Sequence, residues 1–285
     1  MNSTKNTMNK VWFITGAGSG LGTGIARAAL RAGDRVVATG RNLEKVRKAY
    51  PDAAQENIAF VQLDVADETQ AKAAVDEAVK RFGRIDVLVN NAGYSLLGNF
   101  EQMTTAEIQR QFAPNFYGVV HVMQAALPVM RRQRSGHIIN ISSVAGVVGL
   151  KHCAAYAATK FAVEGLSLSV ATEVEKFGIK ITVVEPGFFR TDLLDAQNVR
   201  WVSKVIEDYA PEGTAKEMWS QYDGTQPGDP AKLGDALVKI AAMPNPPKVF
   251  VAGGDALDMI TPAIEERLQE ARAHETLSKS MAGSF

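Results

Sequence analysis

Short runs of apolar and β-branched residues alternate with longer segments of helical periodicity from residue 10 to about residue 250. Several of the short runs are almost continuously apolar, which is typical of strands buried on both faces of a parallel sheet. They predict strands at 11–15, 35–39, 58–63, 85–89, 137–142, 180–184 and 248–251. The longer segments predict helices at 20–32, 42–49, 67–82, 104–132, 154–177 and 229–243.

This alternation predicts right-handed β–α–β units and therefore an α/β fold. We expect a single doubly wound, Rossmann-type domain with a seven-stranded parallel sheet and helices on both faces. The strands use most of the length, so a second core is not expected. The domain is predicted to span residues 10–260, after a disordered leader at 1–9 and before a charged helix and polar tail at 261–285.

Residues 188–228 interrupt the alternation. This segment shows no clear strand pattern and carries Trp201, Tyr209, Trp219 and Tyr222. Open α/β sheets bind ligands beyond the carboxyl ends of their strands, and long segments there are usually functional. The segment is predicted to be a substrate-binding lid; the alternative is an aromatic-rich helical insertion that packs on the body of the domain.

The composition narrows the class of partner. The 31 Lys and Arg residues balance 31 Asp and Glu residues, which argues against nucleic acid or an anionic membrane as the main partner. Cys153 is the single cysteine, so an internal disulfide is excluded and a reducing, cytoplasmic location is expected. No apolar run approaches the roughly 18 residues that a membrane span needs. The four histidines lack metal-ligand spacing, so no metal is expected.

A glycine-rich turn follows the first predicted strand. Glycines between a strand and a helix let backbone N–H groups approach a pyrophosphate at the positive end of the helix. The alternative is a glycine-rich turn without a ligand. The predicted contacts of the turn are Gly16, Gly18, Ser19, Gly20, Leu21 and Gly22.

Arg41 stands at the exit of the second predicted strand, where a carboxylate would favour the free ribose 2′-hydroxyl of NAD. A guanidinium can instead pair with a 2′-phosphate through two hydrogen bonds. The sequence therefore favours NADP as cofactor, with NAD as the alternative. Arg41 could also be a solvated charge at the start of the next helix.

Tyr156 and Lys160 are four residues apart in a predicted helix, so their side chains share one face. An isolated phenol titrates near pH ~10. An ammonium close by favours the phenolate and is expected to move the pKa of Tyr156 toward the working range. The pair is therefore a candidate acid–base group, although a Tyr and a Lys at this spacing also occur by accident.

Several further motifs follow in order: Asn90-Asn91-Ala92-Gly93, Asn115 with Gly118, Ser142-Ser143, Tyr156-x-x-x-Lys160 and Pro186-Gly187. Together with the glycine turn, they make residues 10 to 255 resemble a short-chain dehydrogenase/reductase of the compact single-domain type. Pro114, just before Asn115, is a departure from the family pattern, and a proline inside a helix bends its axis.

The resemblance implies a catalytic set of four residues. Tyr156 is then the general acid for carbonyl reduction and the base for alcohol oxidation. Lys160 lowers the pKa of Tyr156 and binds the nicotinamide ribose, and Ser143 holds the substrate oxygen. Asn115 organises a water that links Lys160 to solvent.

The resemblance also implies cofactor contacts and a substrate pocket. Further cofactor contacts are Asp64, Val65, Asn91, Ala92, Gly93, Pro186, Gly187, Phe189 and Thr191. The expected pocket residues are Tyr94, Leu96, Leu97, Val144, His152, Cys153 and Phe188. The apolar and aromatic members of this set, together with Phe189 and the aromatic segment after Thr191, predict a bulky, uncharged ketone.

These observations predict an NADP-dependent carbonyl reductase or secondary-alcohol dehydrogenase that acts on a small-molecule ketone or alcohol. An NAD-dependent alcohol dehydrogenase of the same fold is the first alternative, and a non-catalytic dinucleotide sensor is the second. The resemblance further implies a homo-oligomer, a tetramer or a dimer, formed through the helix at 154–177.

Overall fold

The computed structural model of the protein describes residues 9–191 and 198–283. The strands of this part are β1 (Val11–Ile14), β2 (Arg35–Gly40), β3 (Ile58–Gln62), β4 (Val87–Asn90), β5 (Ser95–Leu97), β6 (Gly136–Ile141), β7 (Ile179–Pro186), β8 (Val199–Trp201) and β9 (Val249–Ala252). Its helices are α1 (Gly20–Arg31), α2 (Leu43–Lys48), α3 (Glu68–Phe82), α4 (Thr105–Phe112), α5 (Gly118–Gln133), α6 (Ala154–Val174), α7 (Ala215–Ser220), α8 (Pro230–Ala242), α9 (Gly254–Ala273) and α10 (Glu275–Lys279).

Seven strands form one sheet in the order β3-β2-β1-β4-β6-β7-β9, and every pair of neighbours is parallel. The predicted seven-stranded parallel sheet is therefore confirmed. The chain order reverses between β1 and β4, which creates a crevice at the carboxyl ends of these strands. Polar residues that follow β1 and β4 thus converge on one place.

Side chains of the central strand alternate between two apolar cores. Phe13 of β1 packs on one face with residues of α3, α5 and α6, whereas Trp12 packs on the other face with residues of α1 and α8. This alternation follows from the two-residue period of a strand. Both faces of the sheet are therefore covered, as the apolar runs predicted.

The helix predicted at 104–132 is interrupted. A π-helical turn, Ala113–Tyr117, separates α4 from α5 and contains Pro114. A proline cannot donate the backbone bond that a regular helix requires, and π-turns accommodate such a defect. The interruption places Asn115 in the turn, where its side chain is buried.

The expectation that residues 188–228 contain no strand is wrong. Strands β5 and β8 form a second, two-stranded parallel sheet, in which Ser95 pairs with Val199 and Leu97 with Trp201. Two three-residue strands so far apart in the chain leave no periodicity to detect. Part of the predicted lid, residues 192–197, lies outside the described residues.

The C-terminal helix begins at Gly254, earlier than the predicted residue 261. Its first turns bury Ala256 and Ile260 against Val144. The predicted leader, apart from residue 9, lies outside the described residues, as do residues 284 and 285 of the predicted tail. Over residues 9–191 and 198–283, no helix combines the length and the apolar character that a bilayer crossing demands.

Candidate active site

The glycine turn between β1 and α1 is shaped for close approach of a ligand to the backbone. Gly16 and Gly20 have φ angles of +65° and +53°, which favour glycine. A Cβ on Gly22 would lie 2.3 Å from the carbonyl oxygen of Gly16, so α1 starts directly on the turn. No side chain caps the helix at Ser19 and no acidic residue stands in its first turn. The positive helix end thus suits a pyrophosphate.

The loop that follows β4 is hydrogen-bonded to the chain just before this turn. The Thr15 hydroxyl oxygen accepts hydrogen bonds from the backbone N–H groups of Asn91 at 2.9 Å and Ala92 at 3.0 Å. The Asn91 side-chain amide donates to the carbonyl oxygen of Thr15 at 2.9 Å. These bonds join the ends of β1 and β4 at the crevice. Asn91 therefore lines the cleft and also holds the glycine turn in place.

Two cationic side chains lie at the exit of β2. Arg41 lines the cleft as expected, and Lys45, on the first turn of α2, lines it beside Arg41. Both are exposed, and the described residues form no ion pair with either within 4.0 Å. Asp64 and Val65, beyond the end of β3, line the neighbouring wall. Lys45 was not predicted as a site residue, although its spacing of four residues from Arg41 was a signal.

Helix α6 brings Tyr156 and Lys160 to the wall of the cleft, which Ser143 also lines. The ammonium nitrogen of Lys160 is 5.6 Å from the ring centre of Tyr156. The same nitrogen donates a hydrogen bond to the carbonyl oxygen of Ile141 at 2.8 Å. Lys160 is 7% exposed, so its position is set by packing.

The pKa of Tyr156 is raised, whereas the sequence led us to expect that Lys160 would lower it. Part of the Tyr156 ring faces the cleft, yet burial raises its pKa to about 12, and the nearby Ser143 hydroxyl offsets only part of this rise. Burial also lowers the pKa of Lys160 to about 8. Among the protein's own groups, desolvation thus outweighs the expected effect of Lys160 on Tyr156. Tyr156 keeps its proton at neutral pH.

A buried carboxyl group lies one helical turn beyond Lys160. Burial raises the pKa of Glu164 to about 7; Ser142 and Lys160 lower it, and the nearby Glu185 raises it. Burial likewise raises the pKa of Glu185 on β7. In turn, the charge of Glu164 raises the pKa of Lys160. Glu164 is therefore electrostatically coupled to the lysine of the site.

The side chain of Asn115 is hydrogen-bonded to the backbone of Tyr94. Its side-chain oxygen accepts from the Tyr94 N–H at 3.1 Å, and its amide donates to the Tyr94 carbonyl oxygen at 2.9 Å. Asn115 is 1% exposed and lines the cleft. Pro114 thus leaves this residue in the site, and the expectation that Asn115 organises a water stays a prediction.

One cleft of about 670 Å³ contains nearly all of the predicted site. The predicted residues that line it are Gly16, Gly18, Ser19, Gly20, Leu21, Arg41, Asp64, Val65, Asn91, Ala92, Gly93, Tyr94, Leu97, Asn115, Ser143, Val144, Cys153, Tyr156, Lys160, Pro186, Gly187, Phe188, Phe189 and Thr191. Burial raises the pKa of Cys153 to about 12, so its thiol stays protonated and packs rather than reacts.

Three predicted residues do not line the cleft. Gly22 lies under the turn, where its missing side chain permits contact with Gly16. Leu96 points away because Ser95 and Leu97, its neighbours in β5, face the cleft. His152 is 7% exposed and has a φ of +63°, and its side chain is not part of the wall.

Two further wall residues, Trp219 and Gln226, come from the segment after β8; the aromatic segment was expected to line the pocket, but neither residue was singled out. Trp219 lies on α7, and Gln226 lies in the loop that precedes α8. The aromatic content of 188–228 was a signal for Trp219. Nothing in the sequence singles out Gln226.

The profile of a family described as short chain dehydrogenase matches residues 10–200. The chain belongs to this family. Among similar proteins, oxidoreductase BOA17 of Botryotinia fuckeliana is 40% identical over 259 residues, which cover 90% of this chain and 94% of the relative. The 3-ketodihydrosphingosine reductase of Bacteroides thetaiotaomicron is 39% identical over 242 residues, 84% of this chain and 86% of the relative.

Two solved structures are similar to the structure of this short-chain dehydrogenase. A short-chain dehydrogenase from Streptomyces avermitilis has a TM-score of 0.86 and 37% identity, with 96% of this chain and 100% of that chain covered. ElxO with NADP bound has a TM-score of 0.73 and 31% identity, with 88% and 100% covered. With the uncapped glycine turn, these likenesses support a nicotinamide dinucleotide as the cofactor of this oxidoreductase.

Proposed function

We propose that this short-chain dehydrogenase is an NADP-dependent carbonyl reductase that interconverts a bulky, apolar ketone and its secondary alcohol. The observation that carries the proposal is the presence of Tyr156, Ser143 and Lys160 in the cleft that begins at the glycine turn. A group that handles protons and a site for a dinucleotide thus share one cavity.

The chemistry follows from the charge that develops on the carbonyl oxygen. The reduced dinucleotide supplies a hydride to the carbonyl carbon when it is bound. The C=O double bond becomes a C–O single bond, and its oxygen takes the proton of the Tyr156 hydroxyl. Donors at Tyr156 and Ser143 stabilise the negative charge that builds up on this oxygen. The nearby Lys160 ammonium stabilises the phenolate that remains.

The pKa of Tyr156, raised to about 12, favours reduction at neutral pH. A phenol that keeps its proton is in the form that reduction requires, whereas alcohol oxidation requires it first to be deprotonated.

The preference for NADP rests on Arg41 together with Lys45. Two cations at the exit of β2 can pair with a 2′-phosphate, which a single solvated arginine does less well. ElxO, which is 31% identical, binds NADP.

The apolar substrate is supported by the wall around Tyr156. Cys153, Leu97 and Trp219 form a hydrophobic cluster at this end of the cleft, and Phe188 and Leu150 pack against them. The Bacteroides relative is named a 3-ketodihydrosphingosine reductase. An uncharged, bulky ketone suits such a wall.

The test of the function is reduction of a panel of ketones, followed by the loss of NADPH absorbance. Tyr156→Phe is expected to lower kcat/KM by about a hundredfold or more, because general acid catalysis contributes at least this much. Dissociation constants for NADPH should stay within about twofold of the wild type.

Tyr209→Phe is the matched control, because Tyr209 is hydrogen-bonded to Glu101 away from the cleft. It should reduce ketones like the wild type. Equal rates for the wild type and Tyr156→Phe would reject the function.

We also propose that the protein assembles as a homo-oligomer through α6. Phe161 and Leu168, seven residues apart on this helix, are both 44% exposed. Light scattering after size-exclusion chromatography tests this, and a monomer at micromolar concentration would reject it.

A further inference from the structure

Within the part of the chain that the structure describes, two polar atoms of residues that line the cleft have no hydrogen-bond partner. They are Nε1 of Trp219 and Oε1 of Gln226, and both are shielded from water. The two side chains are 6% and 5% exposed, and both line the cleft that contains Tyr156. Buried polar atoms of this kind usually have a partner, so each requires an explanation.

Packing fixes the Trp219 indole. Its ring lies 6.1 Å from Phe188 and 5.9 Å from Tyr222, and Phe188 and Tyr222 stack at 5.4 Å with an angle of 8° between their planes. Trp219 also belongs to the buried cluster with Leu97 and Cys153. Tyr222 is 37% exposed and lies on the outer side of this trio.

Backbone hydrogen bonds fix the position of Gln226. Gly228 donates to the carbonyl oxygen of Phe188 at 2.9 Å and accepts from the N–H of Arg190 at 2.9 Å. Gly228 also forms an isolated bridge with Phe189. Gln226 is two residues from this junction and lines the same cleft as Pro186 and Gly187.

The two side chains have complementary hydrogen-bonding properties. The indole N–H can only donate, whereas the Gln226 amide offers an acceptor oxygen and donor N–H groups. A hydroxyl group both accepts and donates, so it can satisfy the two side chains together. A plain hydrocarbon at this place would leave both atoms without partners, at a cost in affinity.

We propose that the substrate is a ketone whose apolar body carries a hydroxyl group remote from the carbonyl, and that Trp219 and Gln226 bind this hydroxyl. This inference rests on the proposed ketone reduction and adds the substrate class. The carbonyl lies at Tyr156 and Ser143, the apolar body packs along Phe188 and its neighbours, and the hydroxyl lies at Trp219 and Gln226.

The experiment compares straight-chain methyl ketones of increasing length, each paired with the same ketone bearing a terminal hydroxyl. Stepping the chain length finds the separation between the carbonyl and hydroxyl sites. At one length, we expect wild-type kcat/KM to be at least about tenfold higher for the hydroxylated ketone, because the plain ketone leaves two buried polar atoms unpaired.

Trp219→Phe keeps an aromatic ring and removes the N–H, and Gln226→Leu removes the amide. Each variant should reduce the preference for the hydroxylated ketone to about threefold or less, because the ratio of the two kcat/KM values reports the lost hydrogen bond whatever happens to the apolar packing of the ketone. Trp201→Phe is the matched control, because Trp201 packs in the same region without lining the cleft. Thermal melts and NADPH titrations establish that the variants are folded.

The outcomes separate the two proposals. Reduction of plain ketones by the wild type, with no preference for a hydroxylated partner at any length, overturns the inference and leaves the proposed function standing. A preference that persists in both Trp219→Phe and Gln226→Leu also overturns it. Failure to reduce any ketone rejects the function, and the inference with it.

Discussion

The ammonium of Lys160 lies 5.6 Å from the ring centre of Tyr156, and both side chains come from adjacent turns of α6. The environment raises the pKa of Tyr156 to about 12 and lowers that of Lys160 to about 8. As the pH rises, Lys160 therefore loses its proton before Tyr156 does.

Ketone reduction should decline as the pH rises above about 8, where Lys160 loses its proton. The phenol stays protonated there, but the positive charge that stabilises the phenolate is lost. Glu164 raises the pKa of Lys160, so Glu164→Gln should move the decline to lower pH. The measurement is the pH profile of kcat/KM for wild type and variant.

Glu173→Gln is the control for this profile, because Glu173 is exposed near the end of the same helix. It should leave the midpoint of the decline unchanged. An identical midpoint in wild type and Glu164→Gln would contradict the prediction.

The stability of the protein should also depend on Glu164. Its pKa is about 7 in the folded protein against the usual 4.5, so between these values it ionises only in the unfolded chain. Its contribution to the free energy of unfolding is complete below pH 4.5 and is lost as the pH rises to about 7. The loss is at most roughly 3 kcal/mol.

Urea unfolding at a series of pH values checks this. Relative to the wild type, Glu164→Gln should gain stability as the pH rises through this window, and Glu173→Gln should show no such trend. A constant difference between wild type and Glu164→Gln at all pH values would show that the carboxyl does not titrate as stated.

Arg41 and Lys45 should decide between the two dinucleotides. Arg41→Ala and Lys45→Ala are each expected to weaken NADPH binding by about tenfold, since each removes a charged partner of the 2′-phosphate. NADH binding should be unchanged. Lys48→Ala is the control, because Lys48 ends α2 and does not line the cleft.

Fluorescence titration with both dinucleotides provides the comparison. Tighter binding of NADH than NADPH by the wild type would reject the assignment. Equal loss of both dinucleotides in Arg41→Ala would instead point to a structural role for this arginine.

Gly22→Ala should damage the dinucleotide turn. The added Cβ would lie 2.3 Å from the Gly16 carbonyl oxygen and 2.6 Å from the Asn91 amide nitrogen, so the turn must move. We expect a loss of about 1–3 kcal/mol in the free energy of unfolding, together with weaker dinucleotide binding. Urea unfolding and dinucleotide titration measure the two effects.

Gly254→Ala is the matched control, because a Cβ at Gly254 meets no atom within 4 Å. Wild-type affinity and stability in Gly22→Ala would show that the turn tolerates the added methyl group and would remove the packing argument.

Local sequence patterns were sufficient to predict the sheet and to single out most of the residues that line the cleft. The glycine turn, the Asn-Asn-Ala-Gly segment and the Tyr156–Lys160 pair each depend on residues close together in the chain. A parallel sheet then places the carboxyl ends of its strands along one edge. This rule brings the segments of Gly16 and Asn91 to the same edge of the sheet, whereas the place of Tyr156 in the cleft was expected from the family resemblance.

Tertiary structure alone decided the features that depend on distant segments. The pairing of β5 with β8 joins Leu97 to Trp201, and hydrogen bonds of Gly228 join the loop that follows Gln226 to Phe188 and Arg190. The direction of the pKa change at Tyr156 was also beyond the sequence, since spacing shows a neighbouring charge but not the depth of burial. Desolvation depends on all atoms packed around a group, and those come from every part of the chain.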